Sequence, residues 1–477
     1  MNDHVPEPRW SDYAAKIAGL LVLGVTLWGL APDALVGTYV QDGLNVVLAK
    51  ALVLGEGFRL VHVHESPAVH GVAPLYPWFV SVLGRVWPFF PENLLLMQIA
   101  SAAMLGAAAW ILGSSLQRAW AISPWLIAAA TVVGFANVPV MSLAMVPFAE
   151  PLALFCLASA VALATADSPR WWTGAAVGLM AGAATLASVA VAPAAIGIGL
   201  GIGVRGRFRA SGSALAVVAA VLVIWWLVWG TGPAGSVNIG GLDIRTTGDH
   251  LGAVWRFFPS VSPLILLLPL TAFVGFALWG SATHWRIASV CAFVLLGLAL
   301  SGWLWSGVSH RLWPMTLPWI CPLAALGAAS LWARFSRARL ITGIATAGVI
   351  AVILPHNVFG ALRQFRQELD QTTQPVRYLL STTVAELPGE AIISTDVAEL
   401  LYLYTDRHTI PWWLESAAGA ALGDFRDECE RGVTHVAVSG LQPSRDVGSN
   451  DPATNAHLRP VFELTDGPSL YELQCRD

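Results

Sequence analysis

The residue of this chain best suited to chemistry is Asp42, an acidic residue in a long segment between two hydrophobic runs. It opens the stretch Asp-Gly-Leu-Asn-Val-Val-Leu-Ala-Lys, whose pattern predicts a helix. One interpretation is a helix N-cap, a position that aspartate fills well. The other is a general base or an orienting carboxylate. The segment, residues 32–92, is long enough to be functional rather than a simple connection.

Glu150 is the second catalytic candidate, in the sequence Pro147-Phe-Ala-Glu-Pro-Leu at the end of a hydrophobic run. One interpretation is a carboxylate that complements the helix dipole, because Pro151 fits a first helical turn. The other is a functional group, because ionisable residues at the ends of membrane spans often line a binding cavity.

Arg311 is the main candidate for binding an anion. It follows His310 and stands before a proline-rich run. It is either a snorkelling interfacial residue or a guanidinium that binds phosphate through its two-pronged face. Arg245 adds a second basic group in the loop 232–259, although its spacing to its neighbours matches no known site. We expect His310, Arg311 and Arg245 to bind substrate.

His62 and His64 are weak candidates for a metal site. A His-x-His pair followed by Glu65 could hold a divalent cation, although solvated loop histidines are the commoner case. A divalent metal is therefore an optional cofactor. The chain has no P-loop and no nucleotide fingerprint, and its net charge of −4 argues against a nucleic-acid partner.

The composition is that of a membrane protein. Only 12% of the residues are charged and the mean hydropathy is +0.64, whereas soluble domains carry about 25% charged residues. The charge is concentrated at one end, since residues 1–355 hold 12 of the 30 acidic residues. We therefore expect an α-helical membrane domain, 1–355, and a soluble C-terminal domain, 356–477.

The apolar runs predict about 11 spans. They lie near 14–31, 93–113, 122–139, 148–165, 212–231, 261–281, 287–304, 312–332 and 339–355, with the long run 173–204 split in two near Ser188–Pro193. Arginines fall in alternate loops, which predicts a cytoplasmic N-terminus in a bacterial inner membrane. The 32–92 segment and the C-terminal domain then face the periplasm.

The C-terminal domain reads as a small α/β unit. Strands are predicted at 391–394, 435–438 and 469–473, and helices at 397–404 and 419–431. Cys429 and Cys475 both fall on the oxidising side, where they could form a disulfide.

Together these features resemble the GT-C superfamily of membrane glycosyltransferases, and most nearly its bacterial branch, which includes aminoarabinose transferases and relatives of the protein O-mannosyltransferases. The resemblance rests on an outer loop with an acidic residue (Asp42), a Gly-x-Gly element, a Pro-Leu-Tyr-x-Trp motif at Pro74 and Tyr76, the Glu-Pro-Leu element at Glu150 and the basic element at Arg311. The order of these elements along the sequence follows the family pattern over most of the chain.

The resemblance implies transfer of a sugar from a polyprenyl-phosphate carrier in the bilayer to an acceptor that the sequence does not identify. Asp42 and Glu150 would be the acidic site residues, and Arg311 would neutralise the departing phosphate. Pro74 and Tyr76 of the Pro-Leu-Tyr-x-Trp motif would also bind substrate. The chain departs from the family at Gly43, where many relatives have a second acid, and at 183–190, which lacks their basic residue. The alternatives are a secondary transporter of an anionic solute and a non-catalytic protein that binds lipid-linked glycan.

Overall fold

The computed structural model describes two regions of the chain. The first comprises residues 10–230, apart from 33, 38–39, 64–65, 89, 121, 167–169, followed by 237–238, 285–304 and 309–334. The second comprises 374, 376–383, 387–411, 429, 432–439, 458–463 and 469–475. We call the second region the C-terminal domain.

The first region is a bundle of helices. They are α1 (Trp10–Gly29), α2 (Val40–Leu54), α3 (Leu75–Val86), α4 (Leu94–Ala119), α5 (Pro124–Phe135), α6 (Val138–Met145), α7 (Glu150–Thr165), α8 (Trp171–Ala187), α9 (Ala192–Val204), α10 (Phe208–Trp225), α11 (Trp285–Leu304), α12 (Ser309–Leu312) and α13 (Leu317–Arg334). A short parallel pair, β1 (Val69–His70) and β2 (Val237–Asn238), lies beside them.

Among the described residues, two helices are long and apolar enough to cross a membrane. They are α4 and the continuous helix Phe208–Gly230, and the pair α5–α6, bent by 57°, adds a third if it is counted as one span. Shorter apolar helices accompany them, including Glu150–Thr165 and Ala288–Leu304. The count of about 11 spans stays a prediction, and the spans near 261–281 and 339–355 lie outside the described residues.

The predicted division of the long apolar run 173–204 is confirmed. The α8 helix ends at Ala187, a 3-10 turn covers Val189–Val191, and α9 begins at Ala192. Pro193 sits in the first turn of α9, where its missing N–H costs no helical hydrogen bond. The proline therefore starts a new helix instead of kinking a continuing one.

Small residues allow the helices of the bundle to pack closely. Gly174, Gly178 and Gly182 follow one another at intervals of four along α8 and form a flat strip that faces α10. A Cβ atom on Gly178 would lie 2.6 Å from the Ala214 carbonyl oxygen, closer than real side chains approach. Glycine spaced in this way lets helix backbones touch in membrane proteins.

The C-terminal domain contains a five-stranded mixed sheet and a helix, α14 (Ala398–Thr405). The strands are β3 (Ile393–Thr395), β4 (Thr409–Pro411), β5 (His435–Val438), β6 (Leu458–Glu463) and β7 (Ser469–Leu473), in the order β4-β3-β5-β7-β6. β3 runs parallel to β4 and β5, and β7 runs antiparallel to β5 and β6.

Most sequence predictions for this domain agree with the structure. The strands at 435–438 and 469–473 and the helix near 397–404 are confirmed, and the first strand begins two residues later than predicted. Cys429 and Cys475 form a disulfide. The helix predicted at 419–431 lies, apart from Cys429, outside the described residues.

Candidate functional site

Asp42 lies in the first turn of α2 and is fully buried. The helix begins at Val40, so the carboxylate is inside the helix rather than at an N-cap position. Its Oδ2 atom accepts a hydrogen bond from the backbone N–H of Gly37, with a donor–acceptor distance of 3.0 Å. Gly37 has a φ of +96°, a conformation that glycine adopts with little strain. The turn before α2 therefore holds the Asp42 carboxylate.

Glu150 and Arg311 form a buried ion pair between distant parts of the chain. Glu150 is the first residue of α7, and Arg311 lies in α12. The Nη1 atom of Arg311 is 3.6 Å from Oε1 of Glu150, and the two side chains are only 5% and 3% exposed. The guanidinium carbon also lies 4.8 Å from the centre of the Phe148 ring. This burial excludes a snorkelling role, because a snorkelling arginine keeps its charged end in water.

Tyr76, in α3, interacts electrostatically with both carboxylates. Its side chain is buried, which raises the pKa of its hydroxyl, while the neighbouring Ser101 hydroxyl acts in the opposite direction. The negative charges of Glu150 and Asp42 raise the pKa of Tyr76 further, because each disfavours another anion nearby. Tyr76 is therefore within electrostatic range of both. Pro74 directly precedes α3 and is also buried.

Two side-chain amides tie the supporting elements together. Asn45, one turn along α2 from the carboxylate, donates a hydrogen bond to the Pro147 carbonyl at 3.3 Å. Gln98 of α4 donates to the carbonyl of Ala31 at 2.8 Å and to that of Met145 at 2.6 Å. These bonds connect α2 to the segment before α7, and they connect the segment after α1 and the end of α6 to α4.

We call Asp42, Tyr76, Glu150 and Arg311 the Asp42 site. Four separate elements, α2, α3, α7 and α12, supply these side chains. Charges act more strongly in such a buried setting than in water, because the effective dielectric constant is lower. The chemical possibilities are acceptance of a proton by a carboxylate and binding of an oxyanion by the guanidinium.

The architecture matches solved structures over nearly its whole length. Two structures of ArnT from Cupriavidus metallidurans, one in the apo state and one bound to undecaprenyl phosphate, match with TM-scores of 0.64 and 0.62. Each match covers 96% of this chain and 97% of ArnT, at 12% sequence identity. The chain has the ArnT fold. The resemblance predicted from the sequence is thus confirmed at the level of the fold.

A second match with the same fold comes from an archaeon. The oligosaccharyltransferase AglB from Archaeoglobus fulgidus, in complex with an inhibitory peptide and a dolichol-phosphate, has a TM-score of 0.58 and 10% identity. This match covers 91% of the chain and 69% of AglB. No protein-family model matches the chain, and no curated protein matches its sequence.

The other predicted site residues fall in different places on this ArnT-like fold. His310 lies beside Arg311 in α12. His64 and Arg245 lie outside the described residues, so their predicted roles stay predictions. Within the described ranges, no group of three or more His, Cys, Asp or Glu side chains is arranged to hold a metal ion.

His62 is buried and faces the C-terminal domain. Its backbone carbonyl accepts a hydrogen bond from the Thr409 N–H at 2.8 Å, and its ring lies 6.0 Å from that of Tyr402. Burial, reinforced by the electrostatic effect of the neighbouring His408, lowers the pKa of His62 to about 3. The ring is therefore neutral at physiological pH and acts as a contact between the two regions.

Glu399 is a residue beside the site that the sequence did not indicate. It lies in α14, is fully buried, and its Oε1 atom is 4.0 Å from Nε2 of His62. A Cβ atom placed on Gly43 would lie 2.6 Å from the Glu399 Cβ. The C-terminal domain thus brings an acidic side chain against the residue that follows Asp42. The glycine at position 43 was the one sign of this contact in the sequence, because a residue without a side chain leaves room for a side chain from elsewhere in the chain.

Proposed function

We propose that this protein is a membrane glycosyltransferase that transfers a sugar from a polyprenyl-phosphate carrier to an acceptor. Two findings support the carrier class. The chain has the fold of ArnT, whose structure contains undecaprenyl phosphate, and of AglB, whose structure contains a dolichol-phosphate. Both ligands are phosphates on long isoprenoid chains, so they combine an oxyanion with a tail that partitions into lipid.

The observation that carries the proposal is the convergence of Asp42, Tyr76, Glu150 and Arg311 in that fold. Arg311 is held by Glu150 at 3.6 Å, which places a guanidinium beside a buried carboxylate. Arginine suits phosphate because its planar fork can donate two parallel hydrogen bonds. Removing the site from water strengthens its attraction for a departing phosphate.

In the proposed reaction Asp42 acts as the general base. It accepts the proton of the acceptor hydroxyl while that oxygen forms a bond to the anomeric carbon of the sugar. The bond from this carbon to the phosphate oxygen breaks, and polyprenyl phosphate leaves with the electron pair. Attack from the opposite side inverts the anomeric carbon. Arg311 stabilises the charge that develops on the phosphate, and Glu150 holds Arg311 in place.

The remaining proposed contacts are with the substrates. Pro74 and Tyr76 would form part of the wall beside the sugar, and His310 and Arg245 would contact the donor or the acceptor. The alternating arginine loops support a bacterial inner-membrane protein with a cytoplasmic N-terminus, which would place the Asp42 site and the C-terminal domain in the periplasm. A divalent metal remains an optional cofactor in this proposal.

The test is sugar transfer by purified protein in lipid nanodiscs, with polyprenyl-phosphate sugars as donors. We expect Asp42→Asn to lower turnover about 10²–10⁴-fold, the usual contribution of a general base. The matched control is Glu472→Gln, an exposed carboxylate of the C-terminal domain paired with Arg459. We expect this control to transfer sugar at the wild-type rate.

Three results would contradict the proposal in different ways. Full transfer by Asp42→Asn would reject its role as base while leaving the reaction in place. Carrier binding without transfer by the wild type would support a non-catalytic glycan-binding protein. Uptake of an anionic solute into liposomes, without transfer, would support a transporter.

A further inference from the structure

The C-terminal domain holds residues 34–37, the segment that precedes Asp42. Leu35 is buried in the hydrophobic core of that domain, in the same cluster as Leu400 and Leu401. The Val36 N–H donates a hydrogen bond to the Tyr404 hydroxyl at 3.2 Å. The segment is thus anchored by a buried side chain and by a hydrogen bond to α14.

Two glycines allow α14 to approach this closely. A Cβ atom on Gly37 would lie 2.6 Å from the backbone nitrogen of Leu400 and 2.8 Å from its Cβ. A Cβ atom on Gly43 would lie 2.6 Å from the Glu399 Cβ and 2.7 Å from the Gly37 Cα. The first turn of α14 therefore packs against both the turn before α2 and the start of α2.

The hydrogen bond of the Asp42 carboxylate runs through the same segment. Its donor is the N–H of Gly37, the residue covered by Leu400. The charge of Asp42 also reaches α14, since it adds to the effect of burial in raising the pKa of Tyr404 to about 12, against the Val36 hydrogen bond. A movement of α14 would therefore move the donor that orients Asp42.

We propose that α14 of the C-terminal domain positions Asp42 by holding residues 34–37, and that Tyr404 and Glu399 are positioning residues of the Asp42 site. The effect on catalysis rests on the function proposed above. Without the anchor, the Gly37 turn gains conformational freedom and the carboxylate leaves its productive orientation. Small displacements of a reacting group lower turnover strongly, because the reaction requires close alignment.

Tyr404→Phe tests the anchor with a minimal change. It removes the acceptor of the Val36 N–H and keeps the ring, which packs edge-on against Phe90 at 5.3 Å. In the full-length protein in nanodiscs, we expect faster hydrogen–deuterium exchange in peptides covering residues 34–43. We also expect kcat to fall about tenfold with the donor KM within twofold, because positioning acts on the reacting complex. Tyr378→Phe is the control, a half-exposed tyrosine of the same domain.

Gly43→Ala tests the close packing around Gly43 through a different residue. Alanine is a better helix former than glycine by about 1 kcal/mol, so a loss of turnover must come from the collision of the new Cβ with Glu399 and with the turn at Gly37. Gly24→Ala is the matched control, since a Cβ at this helical glycine meets nothing within 4 Å. We expect Gly43→Ala to lose about tenfold in kcat and Gly24→Ala to lose nothing.

Glu399 itself is tested by comparing two substitutions. Glu399→Gln keeps the size of the side chain, and we expect it to stay within about threefold of the wild-type kcat. Glu399→Ala removes the side chain that packs against Gly43, and we expect kcat to fall about tenfold. Equal losses in both variants would remove Glu399 from the proposal as a positioning residue.

Two outcomes would overturn the proposal as a whole. One is unchanged exchange at residues 34–43 in both Tyr404→Phe and Gly43→Ala. The other is faster exchange with an unchanged kcat, which would show that the order of residues 34–37 does not affect turnover. If the wild type transfers no sugar from any carrier, the proposed function fails, and the exchange rates alone decide whether α14 holds the segment.

Discussion

The two carboxylates of the Asp42 site are held in different ways. Glu150 faces a buried arginine at 3.6 Å within the helical bundle. Asp42 accepts a backbone N–H from a segment that packs into the C-terminal domain. An opposite charge offsets the cost of burying a carboxylate, whereas an N–H group is neutral and moves with its turn. The comparison indicates that packing within the bundle is enough to hold Glu150 in place. Asp42 takes its position only when the C-terminal domain packs against the segment before it.

Breaking the ion pair of the bundle should have the largest effect. Arg311→Met leaves the Glu150 carboxylate in the bundle without its arginine, and we expect the free energy of unfolding in detergent to fall by about 3–5 kcal/mol. The matched control is Arg459→Met, because Arg459 also lies 3.6 Å from a glutamate, Glu472, but with side chains 70% and 46% exposed. We expect the control to change stability by about 0–1 kcal/mol.

The double variant Glu150→Met with Arg311→Met separates stability from chemistry. Apolar residues of similar size often replace a buried ion pair without loss of stability. We expect the double variant to regain most of the stability and none of the transfer. Equal destabilisation by Arg311→Met and Arg459→Met would show that burial does not distinguish the two pairs.

The stability of the contact between the bundle and the C-terminal domain should depend on pH through His62. Burial lowers the pKa of His62 from 6.5 to about 3, so the folded protein keeps this ring neutral while the unfolded chain protonates it. The unfolded state then binds more protons between these values, and the contribution of His62 to stability falls as the pH falls from about 6.5 towards 3. The slope of this contribution is at most about 1.4 kcal/mol per pH unit.

We expect the free energy of unfolding to change less steeply with pH in His62→Gln than in the wild type, because the glutamine side chain stays neutral. A wild-type slope in His62→Gln would show that the ring is not a buried neutral group.

The smallest effect should come from the exposed contact between the two regions. Lys50 of α2 lies 2.6 Å from Asp406, just after α14, and its ammonium is 4.4 Å from the centre of the Tyr402 ring. The Asp406 side chain is 80% exposed, so solvent screens this pair. We expect Asp406→Asn to cost less than about 1 kcal/mol, and to cost less still at high salt. A loss comparable with that of Arg311→Met would mean that this contact dominates docking.

Local patterns predicted the elements of the fold well. The break in the run 173–204 was visible because a proline in the first turn marks a helix start, and strands β5 and β7 were visible as short runs rich in strand-forming residues. Strand β6 was missed because Pro460 argues against a strand, although proline is tolerated in an edge strand such as this one. Strand β4 was missed because its three residues end in Pro411, which likewise argues against a strand.

The sequence by itself determined the membrane class, most helix positions and the candidates Asp42, Glu150 and Arg311, since hydropathy and short motifs are local properties. Only the tertiary structure decided that Arg311 pairs with Glu150, that it is buried rather than snorkelling, and that Glu399 reaches Gly43. The physical reason is that burial and pairing depend on how segments far apart in the chain pack together. A single sequence records that packing only indirectly, here as a glycine at the position where a distant side chain lies.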